Sequence, residues 1–311
     1  MPEKIAFLFP GQGSQYIGMC KDLAEEYPEV MEIFRLSDDI CNKPISRLCF
    51  EGPMDELTLT VNLQPAITAA SLACFVALSK NGLQAFLSAG HSLGEYSALV
   101  SAGAISISDA ISLVNKRGEL MHRECRLHPG AMSAVMGMNI HEVAEIVKLA
   151  EQRGIISVAN HNTAEQIVIT GEKDPIDYAG ELVKERGKKA IPLKVSGAWH
   201  CALMKDAVDD FREFIESAIF SSPKAGMLFN ATAEKEHNPE RIKDIMAQQL
   251  VNPVKWYDII VKMIDYGVDT FVEVGPKKVL SGLVKKILPQ DTEAVIYNVE
   301  DKQSLQRFLN R

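Results

Sequence analysis

Gly90-His91-Ser92-Leu93-Gly94 is a G-x-S-x-G pentapeptide, preceded by the apolar run 86–89 and followed by an amphipathic stretch that starts near Gly94. That order predicts a strand, a sharp turn carrying a serine, and a helix, which is the context a nucleophile elbow requires. The glycines permit the turn and leave space around the hydroxyl. The helix N-terminus behind Ser92 offers free N–H groups to developing negative charge. The chemistry expected is nucleophilic attack by serine; the competing reading is a Gly-rich turn with no reaction attached.

Serine needs a general base at neutral pH. The chain has seven histidines, most of which read as surface or loop residues. His200 differs because it ends Gly197-Ala198-Trp199-His200 and opens a stretch, 201–219, whose pattern is helical. Met204, Val208, Phe211 and Ile215 recur at i+4, i+8, i+11 and i+15 from it, so His200 is expected to begin the buried stripe of that helix and to point inward. An inward imidazole needs a partner. A serine hydroxyl would serve, and so would an ordinary core hydrogen bond. No Asp or Glu is placed by the sequence to orient His200, so a backbone carbonyl or an amide is left for that task.

One cation falls on an apolar face. Ser106 and Asp109 stand at capping-box spacing ahead of a helix whose stripe runs Ile107, Ala110, Val114 and Met121. Arg117 lies on that stripe, whereas Lys116 and Arg123 lie off it. A buried guanidinium needs an acceptor. It is either an internal carboxylate or a substrate carboxylate held by a planar bidentate contact that Lys could not copy.

The elements that must position these groups alternate in type, which signals α/β architecture. Strands are expected at Ile5–Phe9, Phe86–Ala89 and Thr270–Val274, and helices at 65–80, 94–101, 107–124, 201–219 and 254–266. Residues 57–79 carry no charge, but Asn62, Gln64, Pro65 and Thr68 favour a buried helix starting near Pro65 over a membrane span. Between 131 and 195 the order reads β-α-β-β-α-β, the ferredoxin-like arrangement. The expected organisation is therefore a discontinuous large α/β domain, 1–127 and 198–311, interrupted by a small domain at 128–197.

Composition narrows the classes. With 311 residues, 47% hydrophobic and 24% charged, the chain can bury a substantial core. A formal charge of -8 disfavours a nucleic-acid partner. The six cysteines form no C-x-x-C pair. Their scatter reads as reduced thiols in a cytoplasmic protein, and the early strand at Ile5–Phe9 leaves no room for a signal peptide. No metal or redox cofactor is implied, because no ligand cluster is visible along the chain.

Several segments in fixed order resemble the malonyl-CoA:acyl carrier protein transacylase family. They are Phe9-Pro10-Gly11-Gln12-Gly13-Ser14-Gln15, the segment from Gly90 to Ala98, Lys116 to Met121, His200 to Met204, Asn252-Pro253-Val254 and Glu273-Val274-Gly275-Pro276. The resemblance implies an α/β-hydrolase-like large domain with a ferredoxin-like insert, a monomer, and ping-pong transfer. In that scheme Ser92 takes the malonyl group from malonyl-CoA with His200 as base, and the phosphopantetheine thiol of acyl carrier protein then accepts it. The N–H groups of Gln12 and Leu93 would form the oxyanion hole, Arg117 would bind the malonyl carboxylate, and the backbone carbonyl of Gln249 would orient His200. Three departures stand out: Ala198-Trp199 before the histidine, His161 between Asn160 and Asn162, and Lys277-Lys278 after Gly275-Pro276. The bulk of Trp199 suggests a pocket restricted to malonyl.

Three other functions use the same residues. A trans-acting malonyl acyltransferase of a polyketide synthase would differ only in its carrier protein. A serine thioester hydrolase would pass the acyl group to water, against which Arg117 and the Gln12 loop speak. A non-catalytic carrier-binding protein would leave Ser92, His200 and Arg117 without a task. Coenzyme A and acidic carrier proteins are anionic, so local positive charge must carry recognition against the global sign. Lys277, Lys278, Lys285 and Lys286 form one candidate cluster; Lys184, Arg186, Lys188 and Lys189 form another.

Overall fold

The computed structural model describes residues 3–311. Five parallel strands form one sheet: β1 (Ile5–Phe9), β2 (Leu87–Gly90), β7 (Gly226–Met227), β8 (Thr270–Val274) and β9 (Val295–Val299), in the order β7-β2-β1-β8-β9. The run IAFLF makes β1 central because every one of its residues is buried. Its pleat sends Ile5, Phe7 and Phe9 into one core and Ala6 and Leu8 into another on the opposite face. Each buried Phe contributes about 1.5–3 kcal/mol relative to exposure.

The second sheet is antiparallel, with β3 (Ala131–Met136), β4 (Ile156–Thr163), β5 (Gln166–Gly171) and β6 (Lys189–Pro192) in the order β4-β5-β3-β6. Helices Ile140–Ala150 and Lys173–Glu185 connect its strands, so the β-α-β-β-α-β order expected for this segment is the one observed. Its two faces have separate tasks. Val135, Ile167 and Ile169 pack on its own helices, while Met132, Ala134 and Val168 join the core that contains Phe7 and Phe9.

Two expectations need correction. Helix Thr60–Lys80 starts a turn before Pro65, which sits inside it. Proline lacks the N–H that would bond the carbonyl four residues back; that carbonyl, on Val61, instead accepts from Lys43 Nζ at 3.1 Å. The helix is long and apolar enough to cross a membrane, and 78% of its apolar window is buried within the fold. The stretch 201–219 is not one helix: a 3-10 turn, Ala202–Met204, precedes helix Lys205–Ile215. Val208, Phe211 and Ile215 are its buried stripe as expected, but His200 lies before the turn with φ 60° and does not start it. The edge strand β9 is not among the strands expected above, although its Val-Ile-Tyr-Asn-Val run is rich in β-branched and aromatic residues; four of its five residues are partly or fully exposed, as befits an edge.

Candidate active site

The C-terminal ends of β1 and β2 converge. Gly90 closes β2, Ser92 follows at φ 49°, and helix Gly94–Ser101 begins two residues later. A left-handed backbone at a serine is uncommon and holds the side chain out of the turn. Neighbouring atoms dictate both flanking glycines. A Cβ on Gly90 would lie 1.9 Å from the Gly94 carbonyl carbon, and one on Gly94 would lie 2.0 Å from the Phe9 carbonyl oxygen. The G-x-S-x-G spacing therefore records a collision between a strand end, a helix start and the neighbouring strand.

Ser92 Oγ is 2.8 Å from His200 Nε2. The other ring nitrogen, Nδ1, is 2.9 Å from two carbonyl oxygens, those of Gln249 and Asn252. Carbonyls only accept, so Nδ1 carries the proton and Nε2 presents a lone pair to the serine hydroxyl. His200 is 4% exposed. Burial, followed by the nearby Arg117 charge, pushes its pKa down to about 3, so the ring is neutral at pH 7.

Arg117, 1% exposed, sits beneath this pair on helix Ile107–Leu127. That helix starts with the expected cap, Asp109 N donating to Ser106 Oγ at 3.0 Å. The guanidinium donates from Nη2 to Ser92 Oγ at 3.1 Å, from Nη1 to Gln64 Oε1 at 2.7 Å, and from Nε and Nη2 to Gln249 Oε1 at 3.1 and 2.9 Å. Among the described residues no carboxylate lies within ion-pair distance of it. Of the two acceptors open to Arg117 on sequence grounds, a direct internal carboxylate is absent. The nearest acid in the network is Glu95, one amide away: Gln249 Nε2 donates both to Ser92 O, at 2.9 Å, and to Glu95 Oε2. Glu95 also accepts from Asn230 N at 2.7 Å, and its burial pushes its pKa up to about 7. Asn230 closes the circuit, accepting from Ser92 N at 2.7 Å and donating to Gly90 O at 2.7 Å.

A cavity of about 700 Å³ opens onto the serine between the two sheets. Gln12, Ser92, Trp199 and His200 form part of its wall on one side, and Met132 and Asn162 of the antiparallel sheet on the other. Leu93, Arg117 and Gln249 lie one layer behind; Arg117 meets the wall through its contact with Ser92 Oγ. Among the described residues neither the Gln12 nor the Leu93 backbone N–H donates to a protein acceptor. Both follow parallel-strand ends, Leu93 as the N-cap of helix Gly94–Ser101. The arrangement can run acyl transfer through an activated serine.

The acyl transferase domain family matches residues 6–306. The malonyl CoA-acyl carrier protein transacylase of Bacillus subtilis strain 168 is 44% identical over 286 residues, covering 91% of this chain and 90% of the relative. That of Escherichia coli K12 is 39% identical over 295 residues, covering 94% and 96%. The chain belongs to the malonyl CoA-acyl carrier protein transacylase family. Among solved structures, an acyl carrier protein S-malonyltransferase from Vibrio cholerae superposes with TM-score 0.94 at 40% identity, covering 98% of this chain and all of that one. A malonyl-transacylase solved with its type II PKS acyl-carrier protein superposes with TM-score 0.94 at 38% identity, covering 99% of each chain.

Within this transacylase fold, sequence reasoning missed four polar residues. Gln64 and Asn230 are fully buried, and neither belongs to a recognisable motif. Asn252 was visible as part of Asn-Pro-Val, but its carbonyl contact was not. His91, taken with the unremarkable histidines, lines the cavity and pairs its Nε2 with Asn162 Oδ1 at 2.9 Å, joining the elbow to β4. His161 faces away from the cavity, against Tyr257 and 4.0 Å from Asp258. Of the two basic clusters, the first flanks the wall: Val279, Leu280 and Leu283 line the cavity between its lysines. None of the second cluster does, and Lys194 does instead.

Proposed function

We propose that this chain transfers the malonyl group of malonyl-CoA to the phosphopantetheine thiol of acyl carrier protein through a malonyl-serine intermediate. The observation that carries this reading is the pair of contacts on one atom: Ser92 Oγ lies 2.8 Å from a neutral imidazole nitrogen and 3.1 Å from a buried guanidinium without a carboxylate partner. Nucleophile, base and anion-binding group thus meet at the serine.

As Ser92 Oγ attacks the thioester carbonyl, its proton moves to His200 Nε2. The C–O bond forms and the carbonyl oxygen takes the negative charge, which the N–H groups of Gln12 and Leu93 receive. Collapse breaks the C–S bond, and His200 returns the proton to the departing coenzyme A sulfur. The carrier-protein thiol then gives its proton to Nε2, attacks the malonyl-serine, and leaves with the acyl group while Ser92 recovers its proton. The carbonyls of Gln249 and Asn252 hold the imidazole in the tautomer both half-reactions require, in place of a carboxylate. Arg117 selects acyl groups that end in a free acid, and no metal or redox cofactor takes part.

We read residues 1–127 and 198–311 as an α/β-hydrolase-like catalytic domain and 128–197 as a ferredoxin-like insert. A monomeric, cytoplasmic protein acting neither on nucleic acid nor at a membrane accords with this activity. Relatives named for the same transfer support the substrates. Intact-mass measurement after mixing with malonyl-CoA tests the proposal. One malonyl adduct is expected on the wild type and none on Ser92→Ala; an adduct on both, or on neither, sinks it. Rapid release of free malonate without carrier protein would favour the hydrolase.

A further inference from the structure

The sequence offered no metal-ligand cluster, but the fold assembles one away from the active site. Glu124 stands in the last turns of helix Ile107–Leu127, His128 is that helix's C-cap, and Asp206 lies in the first turn of helix Lys205–Ile215. One ligand atom from each lies within 4.8 Å of the other two. His128 Nε2 is 3.8 Å from Glu124 Oε2 and 3.7 Å from Asp206 Oδ2. Charge-assisted hydrogen bonds would close to about 2.7–2.9 Å. A tetrahedral ion with bonds of about 2.0–2.1 Å holds its ligand atoms about 3.3 Å apart, which small side-chain rotations would reach from here.

Glu124 itself points to a missing partner. Its side chain is fully buried, and Oε1 accepts from Arg123 Nε at 2.7 Å. Oε2 is buried with no hydrogen-bond partner and faces the imidazole. An orphaned buried carboxylate oxygen is costly and needs a donor or a cation. Local charge agrees. Three carboxylates, those of Glu124, Asp206 and Asp210, share this patch with one guanidinium, that of Arg123, which bonds the Glu124 and Asp210 carboxylates and the Asp206 carbonyl, while the Asp206 carboxylate faces His128. That leaves a deficit of two positive charges, which one divalent ion would cancel.

We propose that Glu124, His128 and Asp206 bind a divalent transition-metal ion, with Zn2+ the best-matched occupant. One imidazole nitrogen and two carboxylates suit a borderline ion better than Mg2+ or Ca2+, which favour all-oxygen shells. His128 is half-buried and Asp206 exposed, so solvent reaches the cluster and water would complete the coordination. The ion would staple the C-terminus of the helix carrying Arg117 to the helix that follows His200. These are the two places where the chain enters and leaves the antiparallel sheet. The sequence trace of the site is an E-x-x-x-H pair spaced i,i+4 on one helix; Asp206 is too remote along the chain to be linked to it by pattern.

The test is calorimetric titration of chelator-stripped full-length protein with zinc chloride, beside thermal melts. Wild type is expected to bind one Zn2+ and to melt about 2 °C or more higher with excess ion. His128→Ala, at a half-buried position, and Asp206→Ala, at an exposed one, should bind at least tenfold more weakly, lose the zinc-dependent shift and keep malonyl transfer. Wild-type affinity weaker than about 1 mM, or affinity unchanged in both variants, overturns the assignment.

Discussion

Arg117→Ala separates recognition of the acid from the chemistry of the thioester. In the wild type the guanidinium is buried, lacks a carboxylate partner and touches Ser92 Oγ, the proposed nucleophile, at 3.1 Å. A malonyl carboxylate would complete a buried, charge-assisted pair with it. Removing one member of such a pair costs about 3–5 kcal/mol, much of it from leaving the other charge uncompensated. At 1.36 kcal/mol per decade this is a loss of about 150- to 5,000-fold in kcat/KM for malonyl-CoA. Acetyl-CoA carries no acid and forfeits none of it. The variant also lifts a positive charge from beside His200, whose pKa that charge helps to hold down, so the base becomes stronger. Acetyl transfer should therefore stay within about tenfold of wild type or rise. Two oxygens, Gln64 Oε1 and Gln249 Oε1, lose their guanidinium donors, so some loss of melting temperature is expected and must be measured alongside. Stopped-flow acylation with malonyl-CoA and acetyl-CoA on the same preparations supplies the ratio. An equal fall for both substrates would refute selection by Arg117 and leave it a structural residue.

Because His200 is held near 3 in the folded state, kcat/KM for acylation should show no inflection near pH 6.5 and should decline only in more acid solution. The same depression means that the unfolded chain binds more protons between about 3 and 6.5. Stability is thus fully present above pH 6.5 and is lost as pH falls through that window, and His200→Asn should flatten the loss in denaturant titrations. Gly94→Ala drives a Cβ against the Phe9 carbonyl and should abolish activity or folding, whereas Gly180→Ala, whose Cβ meets only Ala190 Cβ at 3.7 Å, should gain up to about 1 kcal/mol by urea titration. Trp199 forms part of the cavity wall, so methylmalonyl-CoA should turn over far more slowly than malonyl-CoA and Trp199→Ser should narrow the gap; near-equal wild-type rates would remove Trp199 as the restriction. Charge reversal at Lys278, Lys285 and Lys286 should raise KM for acyl carrier protein several-fold at low salt, and an unchanged KM would exclude that face as the docking surface.

What the sequence made legible is what periodicity and steric exclusion write into residue types. The run Ile5–Phe9 is apolar throughout because β1 is buried on both faces. Gly90 and Gly94 are glycines because backbone atoms occupy the space a Cβ would need. Arg117 was found because one cation interrupts an apolar stripe. His200 was also found, but through a helix that does not exist at that position. The inward direction was right because Val208, Phe211 and Ile215 do pack inward, and the imidazole reaches the site from a left-handed turn instead. The polar circuit stayed hidden for a different reason. The histidine is oriented by the carbonyl oxygens of Gln249 and Asn252, atoms that every residue carries. The side chains that tie the circuit together, Gln64, Asn230 and the amide of Gln249, come from segments far apart in the chain. A carboxylate in the orienting role would have been a searchable residue type. Backbone carbonyls, unlike a carboxylate, bring no net charge to the ring, so burial and Arg117 keep the free enzyme's imidazole neutral. In the proposed mechanism a base so placed works as a relay that hands its proton to sulfur within the same turnover, which suits a reversible exchange between two thioesters.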